Sequence, residues 1–289
     1  MKFSIYSVMT PDITPETLIA YLKDTDYTAV EWRFSETPVD VKSEKPSYWR
    51  NNLCTISPSI TDYDIQVLKD KAEDSGINML SVLPYLTAGD LESTEHALQV
   101  AKKLGASTIR LGIPVYDRSK HYNELFKSAA AYLSEVEQMC KRYKVKGLVE
   151  THHQTIAPSA SLAYQLVCSY DPDYIGVLYD PGNMVHEGYE NYRMGLELLG
   201  DYLAHVHVKN AIWQRGQTQA DGTADWSVQW APIEKGAVNW KQVLLDLKAV
   251  GYDGYVGMED FSASMPTVKS IQHNIETVQR FLAENEGAY

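Results

Sequence analysis

The sequence predicts a single α/β domain, a (β/α)8 barrel that spans residues 1–289. Eight short apolar segments alternate with stretches of helical periodicity, and no low-complexity tract or linker divides the chain. No glycine-rich phosphate-binding fingerprint follows the first segment, which argues against the alternative of an open doubly wound sheet. The length of 289 residues also suits a barrel, which commonly takes about 250 residues as one domain.

The strand predictions rest on short segments whose hydrophobic residues run together. A strand covered on both faces loses the alternation of polar and apolar residues, so such runs are typical of a buried parallel sheet. The predicted strands cover residues 2–7, 29–33, 78–83, 108–113, 146–151, 175–180, 204–208 and 255–259.

The helix predictions rest on capping residues, apolar spacings of three and four, and glycine stops. Thr14 and Pro15 form a cap with proline at the first helical position. Glycine, the usual residue of a left-handed helix stop, follows three periodic stretches at Gly76, Gly105 and Gly251. The predicted helices begin near residue 14 and cover residues 61–75, 93–104, 120–144, 240–250 and 267–284.

Residues 210–238 break the regular alternation. They are rich in Gly, Gln, Asp and Trp, so we predict an extended loop after the seventh strand. Long loops in compact domains are often functional, and we expect this one to contribute to the active site.

Charge and cysteine content narrow the class of protein. The formal net charge is −12, whereas DNA-binding proteins usually carry a basic surface because phosphate contacts supply much of their affinity. Cys54, Cys140 and Cys168 have neither metal-ligand nor redox spacing, which suits reduced thiols. No stretch resembles a signal peptide or a membrane span. We therefore expect a cytoplasmic protein that binds neither nucleic acid nor membranes.

Four consecutive predicted strands end on an ionisable residue after an apolar run. These residues are Glu150, Asp180, His207 and Glu259. Active sites of α/β barrels lie at the carboxyl ends of the strands, so the four side chains are expected to converge. Burying them without partners would cost several kcal/mol, and a shared cation removes that cost. Oxygen-rich sites suit Mg²⁺ and Mn²⁺, and one imidazole also suits Co²⁺ or Zn²⁺.

Eight further residues are predicted to contact a substrate, because they lie at strand ends or in the long loop. They are Glu31, Arg110, His152, Asn183, His205, Lys209, Trp213 and Arg215. Side chains alternate along a strand, which puts His152 on the face of Glu150 and puts His205 and Lys209 on the face of His207.

Several of these predictions have a structural alternative. Asn183 suits the turn after Pro181-Gly182, and His205 could orient a neighbouring ligand through a hydrogen bond. Glu31 and Arg110 could form an internal ion pair. Four other histidines, interpreted as solvated or turn residues, are His121, His153, His186 and His273. The aromatic residues placed where loops would meet a sugar are Trp32, Tyr85 and Trp213.

Four motifs together resemble a known family. They are the Glu-x-His step at 150–152, Asp-Pro-Gly-Asn at 180–183, His-Val-His-Val-Lys at 205–209, and the ending that runs from Trp240 through Gly-Tyr-Asp-Gly at 251–254 to Glu259. In order and placement they resemble the xylose isomerase-like TIM barrel superfamily. Within it, the chain looks like the sugar phosphate isomerase/epimerase branch of ketose 3-epimerases, inosose dehydratase and hydroxypyruvate isomerase. The resemblance covers nearly the whole chain.

The resemblance implies a single metal, Mn²⁺ or Mg²⁺, with Co²⁺ or Zn²⁺ as alternatives. Its ligands would be Glu150, Asp180, His207 and Glu259. In ketose epimerases of this family the first and last glutamates flank the sugar and move the proton, so Glu150 and Glu259 become the acid/base pair. The resemblance also implies a small-molecule sugar as substrate and a homodimer or homotetramer.

The leading functional hypothesis is a metal-dependent sugar isomerase or epimerase that removes a proton next to a carbonyl. The sequence Lys209-Asn210 departs from the family patterns, which keeps open a lyase or dehydratase acting on a ketosugar, inosose or 3-keto-glycoside. A remote alternative is a nuclease resembling endonuclease IV, which needs additional histidines. A non-catalytic sugar-binding barrel is a further alternative. Without a phosphate-binding glycine loop, an unphosphorylated substrate is expected.

Overall fold

Eight parallel strands close into a barrel in the computed structural model, which describes residues 1–286. In chain order the strands are β1 (Lys2–Tyr6), β2 (Ala29–Phe34), β3 (Thr55–Ile56), β4 (Asn78–Pro84), β5 (Thr108–Arg110), β6 (Lys146–Glu150), β7 (Ile175–Tyr179), β8 (Leu203–Val208), β9 (Asn210–Thr218), β10 (Ala224–Ala231) and β11 (Tyr255–Met258). Strand β1 pairs in parallel with both β2 and β11, which closes the ring of β1, β2, β4, β5, β6, β7, β8 and β11. The two-residue strand β3 adds only a short pairing with the end of β2. The predicted (β/α)8 TIM barrel is confirmed.

Helices cover the outside of the barrel and follow the strands in sequence. They are α1 (Pro15–Leu22), α2 (Asp62–Asp74), α3 (Leu91–Leu104), α4 (Tyr122–Tyr143), α5 (Ala160–Val167), α6 (Pro181–Glu187), α7 (Tyr192–Leu199), α8 (Trp240–Ala249) and α9 (Thr267–Glu286). No prediction covered α5, α6 or α7, which have only seven or eight residues each. Helices this short are stabilised mainly by packing against the rest of the fold, so the periodicity of their sequences is too short to predict them.

The predicted strand positions are right, with one shortened strand. Strand β5 ends at Arg110 rather than at residue 113, and the chain then passes into irregular backbone. Gly112 lies in this segment beside the Leu86 carbonyl, at a distance that leaves no room for a Cβ atom. The close approach of two loops, rather than a longer ladder, sets the end of β5.

The prediction of an extended loop over residues 210–238 is wrong for most of its length. Strands β9 and β10 form an antiparallel hairpin there, and Gly222 has the positive φ that its turn requires. Trp226 pairs with Arg215 and Val228 with Trp213, so large side chains share one face of the hairpin. The composition suggested a loop, but large side chains alternate with small or polar ones in this segment, and that pattern favours a two-stranded hairpin.

Two apolar regions hold the barrel together. The larger one lies between the strands and the surrounding helices, where helix faces cover the outward side chains of the sheet. The smaller one lies inside the barrel near the carboxyl ends and consists of Tyr6, Val8, Leu83, Leu148, Leu178 and Phe261. Strands β6, β7, β8 and β11 are consecutive neighbours in the sheet, so the residues at their carboxyl ends are brought side by side.

Candidate metal centre

Four buried side chains converge at the carboxyl ends of these neighbouring strands. One donor atom from each of Glu150, Asp180, His207 and Glu259 lies within 4.8 Å of the others, as a shared cation would require. The Nδ1 atom of His207 is 3.2 Å from Oε2 of Glu259 and 4.0 Å from Oε1 of Glu150. This nitrogen is buried and has no hydrogen-bond partner in the described chain. A buried polar atom without a partner, facing carboxylates, is the geometry of a metal ligand.

Lys209 lies in the same cluster. Its Nζ atom is 2.7 Å from Oδ2 of Asp180 and 2.5 Å from Oε2 of Glu259, and its side chain is almost completely buried. The ammonium also lies 5.1 Å from the ring centre of Trp230 and 5.4 Å from that of Phe261. An ammonium group therefore neutralises part of the carboxylate charge from the side where aromatic rings close the cavity.

Asn183 also belongs to the cluster and does more than occupy a turn. Its backbone N–H donates to Oδ1 of Asp180, the cap of α6, over 3.0 Å. Its side-chain amide donates to Oε1 of Glu150 over 3.0 Å and to Oδ2 of Asp180 over 2.9 Å. Asn183 thus fixes the Glu150 and Asp180 carboxylates relative to each other.

Arg110 forms an ion pair with Glu150, not with Glu31. The distance from its NH1 atom to Oε2 of Glu150 is 2.9 Å, and its guanidinium lies near the ring of Tyr85. Glu31 is instead surrounded by Ser4, His205 and His207. The suggested Glu31–Arg110 ion pair is therefore wrong, because the two side chains occupy different layers of the barrel.

Burial and neighbouring charges shift the pKa values of these groups in opposite directions. Burial opposes the ionisation of Glu150, yet several nearby positive charges, of which the Arg110 guanidinium is the strongest, together outweigh it and hold the pKa of that carboxyl well below its usual range. Burial raises the pKa of the Asp180 carboxyl to about 7, and the Lys209 ammonium limits that rise. Two adjacent carboxyl groups thus hold their protons with very different strength.

The cluster also fits a divalent cation by its charge. In the cluster and the layer directly beneath it, the carboxyl groups are those of Glu31, Glu150, Asp180 and Glu259, and the cationic side chains beside the cluster are Lys209 and Arg110. When all four carboxyl groups are ionised, two negative charges remain unmatched, which equals the charge of one divalent ion. Burial lowers the pKa of His207, but the Glu31 and Glu259 carboxylates raise it well above its usual value. A bound cation would take over the charge that a proton on His207 supplies.

A cavity of about 550 Å³ opens above the cluster, within the usual range for a small-molecule site. Glu150, Glu259, Lys209, Asn183 and Arg110 form its polar part. The aromatic and imidazole side chains on its walls are Trp49, Tyr85, His152, His153, Trp230 and Phe261. The cavity therefore combines a charged floor with flat side chains suited to the face of a sugar ring.

Four residues predicted to contact a substrate do not line this cavity. Glu31 and His205 are buried beneath the cluster, while Trp213 and Arg215 lie on the exposed part of the hairpin. The Nε1 atom of Trp213 donates to the Val185 carbonyl instead. Trp32, expected to meet a sugar, is completely buried. The other four predicted contacts, Arg110, His152, Asn183 and Lys209, do line the cavity.

Sequence reasoning missed several residues on the cavity wall. His153, interpreted as a solvated residue, is sandwiched between His152 and His186, with ring centres 4.4 Å and 4.0 Å away. Phe261 lies in the loop just after β11, two positions beyond Glu259, where the periodicity of a strand no longer indicates the direction of a side chain. The position of Trp230 depends on the register of the β9–β10 hairpin, which cannot be predicted from the amino-acid composition of this segment.

Comparison with protein families settles the relationship of this barrel. The family model described as "Xylose isomerase-like TIM barrel" matches residues 19–284. The chain belongs to this family. A search of curated proteins finds no match to the sequence. The resemblance seen in the four motifs is thereby confirmed for the family as a whole.

Solved structures of other xylose isomerase-like barrels share the fold at low sequence identity. D-psicose 3-epimerase from Clostridium cellulolyticum H10, solved with D-tagatose, is 16% identical over 98% of this chain and 99% of its own, with a TM-score of 0.69. The IolI protein with a bound zinc atom is 17% identical over 99% of each chain, with a TM-score of 0.72. A probable 3-DHS dehydratase of petrobactin synthesis from Bacillus anthracis is 14% identical over 96% and 99%, with a TM-score of 0.65. At this level of identity the likeness to this chain is one of fold.

Two further observations bear on the earlier expectations. Among residues 1–286, no helix combines the length and apolarity needed to cross a membrane. The second and third barrel strands, β2 and β4, reach their carboxyl ends at Phe34 and Pro84 rather than at histidines.

Proposed function

We propose that this protein is a divalent-metal-dependent isomerase or epimerase acting on an unphosphorylated sugar, by removal of a proton next to a carbonyl group. The observation that supports it is the four-residue cluster of Glu150, Asp180, His207 and Glu259 at the floor of an aromatic-walled cavity. Glu150 and Glu259 both line the cavity, so both carboxylates can reach a bound sugar.

Glu150 and Glu259 are the acid/base pair in this proposal. Arg110 keeps Glu150 ionised, and Lys209 does the same for Glu259, so each carboxylate can accept a proton from carbon. In epimerisation, one carboxylate takes the proton from one face of the carbon and the other, protonated from solvent, returns a proton to the opposite face. In isomerisation, the same carboxylate delivers the proton to the neighbouring carbon.

A divalent cation held by the four-residue cluster would stabilise the negative charge that develops on the substrate oxygen. Asp180 and His207 act only as its ligands in this proposal. Asn183 keeps Glu150 and Asp180 in register, which lowers the cost of arranging the cluster before substrate binds.

The remaining polar side chains of the cavity orient the sugar. His152 is held by a contact of 2.8 Å between its Nδ1 atom and the His153 carbonyl, and its ring lines the cavity. Trp230 and Phe261 supply flat surfaces beside the charged floor. The proposal therefore places hydroxyl groups against His152 and Lys209 and an apolar sugar face against the two aromatic rings.

Lys209 supports a second candidate function, a lyase or dehydratase acting on a ketosugar, inosose or 3-keto-glycoside. Elimination begins with the same loss of a carbon proton to a carboxylate, and an acid must then protonate the departing oxygen as its bond to carbon breaks. The Lys209 ammonium lines the cavity within 2.5 Å of Glu259, so base and acid lie side by side. Water or an alcohol would leave, and the proton count is balanced by transfer from the ammonium.

One experiment tests the proposal and separates the two candidates. Protein stripped with EDTA and reloaded with Mn²⁺, Mg²⁺, Co²⁺ or Zn²⁺ is incubated in D₂O with ketoses, aldoses, inososes and 3-keto-glycosides. We expect an isomer or epimer of the substrate, formed without loss of any group and carrying deuterium at a carbon that is reprotonated from solvent, and only in the reloaded samples. Loss of water or of an aglycone would assign the lyase instead.

Variants of the acid/base pair supply the control. Glu150→Gln and Glu259→Gln keep the side-chain shape but cannot take a proton, so we expect turnover to fall by about 10²–10⁴-fold. Glu44→Gln, a change at a surface glutamate paired with Arg50, serves as the matched control. A parent protein that binds sugar but neither binds a divalent ion nor turns over any of these substrates would support a non-catalytic sugar-binding barrel.

A further inference from the structure

We propose that Glu31 is a positioning residue that orients His207 toward a bound metal ion and fixes which of its ring nitrogens carries the proton. This inference rests on the metal-dependent function proposed above and assigns a role to a residue that does not reach the cavity. Glu31 is completely buried inside the barrel, on strand β2. Burying a charged carboxylate is costly unless other groups hydrogen-bond or pair with it, so the groups that contact Glu31 indicate its role.

The two oxygens of Glu31 contact different groups. Its Oε1 accepts a hydrogen bond of 2.7 Å from the Ser4 hydroxyl on strand β1. Its Oε2 lies 2.8 Å from Nε2 of His207 and 3.0 Å from Nε2 of His205. The carboxylate is thus fixed by Ser4 on one side and faces two imidazole rings with the other.

These contacts determine the state of the His207 ring. A carboxylate accepts hydrogen bonds, so the Nε2 atom of His207 must donate its N–H to Glu31. In a neutral imidazole the other nitrogen then carries the lone pair. That nitrogen, Nδ1, faces Glu150 and Glu259 and has no hydrogen-bond partner in the described chain. Metal-binding histidines commonly donate their second N–H to a carboxylate in this way.

The surrounding residues preserve this arrangement. A Cβ atom on residue 257 would collide with Oε1 of Glu31, so Gly257 leaves the space that the carboxylate occupies. The Tyr6 ring stacks on His207 with a centroid distance of 5.7 Å, and His205 meets it edge-on at 5.3 Å. The ring is therefore held on its face, at its edge and at one nitrogen.

A second metal ion between Glu31, His205 and His207 is the competing interpretation, since their donor atoms also cluster. The distances argue against it. Nε2 of His207 is already hydrogen-bonded to Oε2 of Glu31, and Oε1 is bonded to Ser4. Nε2 of His205 lies 3.0 Å from Oε2 but makes no hydrogen bond in the described chain, so among the three clustered donor atoms it is the one left to bind an ion. Three protein ligands in a sealed layer would also leave no access for the further ligands that a cation needs.

The test is metal affinity, measured by calorimetric titration of Mn²⁺ into EDTA-stripped full-length protein. Glu31→Gln removes the charge that selects the Nε2–H form, and we expect the affinity to fall by about 10–100-fold. Ser4→Ala leaves the charge but frees the carboxylate to rotate, and we expect a smaller loss in the same direction. Ser81→Ala is the matched control, because it deletes a buried hydroxyl on strand β4 that bonds only the Thr108 carbonyl.

A second readout separates positioning from general damage to the fold. Co²⁺-loaded protein should show a visible absorption spectrum that changes in Glu31→Gln and stays the same in Ser81→Ala. Binding of one Mn²⁺ per chain is expected in the parent protein. Two ions per chain, reduced to one by Glu31→Gln, would make Glu31 a ligand and overturn the proposal.

Failure of this inference can be told apart from failure of the proposed function. A parent protein that binds Mn²⁺ and turns over a sugar, with unchanged affinity in a folded Glu31→Gln variant, overturns only the role of Glu31. A parent protein that binds no divalent ion overturns both.

Discussion

Lys209 is the cationic residue that directly contacts two carboxylates of the candidate metal centre. Its ammonium lies between Asp180 and Glu259, where it neutralises carboxylate charge but also repels any cation bound to the same oxygens. The same group lines the cavity and can meet the substrate. In the proposed function, metal binding would be favoured by removal of this charge, whereas catalysis would be favoured by its presence.

Replacement of Lys209 should separate these two effects of its charge. In Lys209→Met we expect Mn²⁺ affinity to rise on the order of tenfold, since a nearby positive charge is lost, while turnover falls by about 100-fold or more. Titration calorimetry and steady-state kinetics measure the two effects. Lys241→Met, at a surface lysine paired with Glu284, is the control. A parallel fall of affinity and turnover would contradict the assignment.

His153 links the cavity wall to the acid stability of the protein. Burial, reinforced by the neighbouring His152 and His186 rings, lowers the pKa of His153 from 6.5 to about 3. Between these values the unfolded chain binds the proton and the folded chain does not. This residue therefore contributes stability at neutral pH that is lost as the pH falls from 6.5 toward 3.

Substitution of His153 tests this dependence. His153→Gln can still hydrogen-bond the Asn183 side chain but cannot take up a proton. We expect its melting temperature to fall less than that of the parent between pH 6.5 and 4, measured by circular dichroism on metal-free protein. Parallel curves for the two proteins would show that His153 does not titrate in this window.

At the scale of elements, the β9–β10 hairpin replaces the long loop that composition suggested. It begins at Asn210, directly after Lys209 and two residues after the end of β8, so its base lies beside the candidate metal centre. Trp230 lies at this base and lines the cavity, whereas Trp226 lies nearer the turn and is 58% exposed. The hairpin thus places Trp230 in the cavity and Trp226 on the surface.

These two tryptophans form a matched pair for mutation. Trp230→Ala removes a wall of the cavity and the ring beside Lys209, so we expect KM for the sugar to rise by about tenfold. Trp226→Ala should leave KM unchanged. The measurement is steady-state kinetics with the sugar identified in the D₂O experiment. Equal effects of both substitutions on KM would contradict the assignment of Trp230, rather than Trp226, to the sugar-binding cavity.

At the scale of the whole molecule, the candidate metal centre joins four strands that are far apart in sequence. Its proposed ligands come from β6, β7, β8 and β11 or the residues just after them, and these strands are consecutive in the barrel. A cation that binds only the folded barrel stabilises all of these pairings at once. Metal binding and global stability should therefore change together.

Metal removal should lower the melting temperature by several degrees. At a free Mn²⁺ concentration of about 100 times Kd, binding adds about 2.7 kcal/mol to the free energy of unfolding. Differential scanning calorimetry with EDTA and with added Mn²⁺ measures the shift. Asp180→Asn, which weakens one ligand, should show a smaller shift, and an equal shift would mean that the ion binds elsewhere.

The four ligand candidates were predictable because each follows an apolar run that can only be a buried strand. Position relative to a barrel strand is a local property of the sequence, and the family motifs marked the same residues. The layer to which a side chain belongs is not local. Glu31 and Arg110 were both assigned to the substrate, yet one lies sealed under His207 and the other lies open to the cavity.

The sequence by itself determined the barrel, the order of its strands and the residues at their carboxyl ends, because burial dictates apolar runs and turns dictate glycine and proline. Only the tertiary structure decided which groups meet inside the barrel. The pairing of Lys209 with two carboxylates, of Arg110 with Glu150 and of Glu31 with His207 depends on strand stagger and ring orientation. These are set by packing between residues distant in the chain, and no local pattern records them.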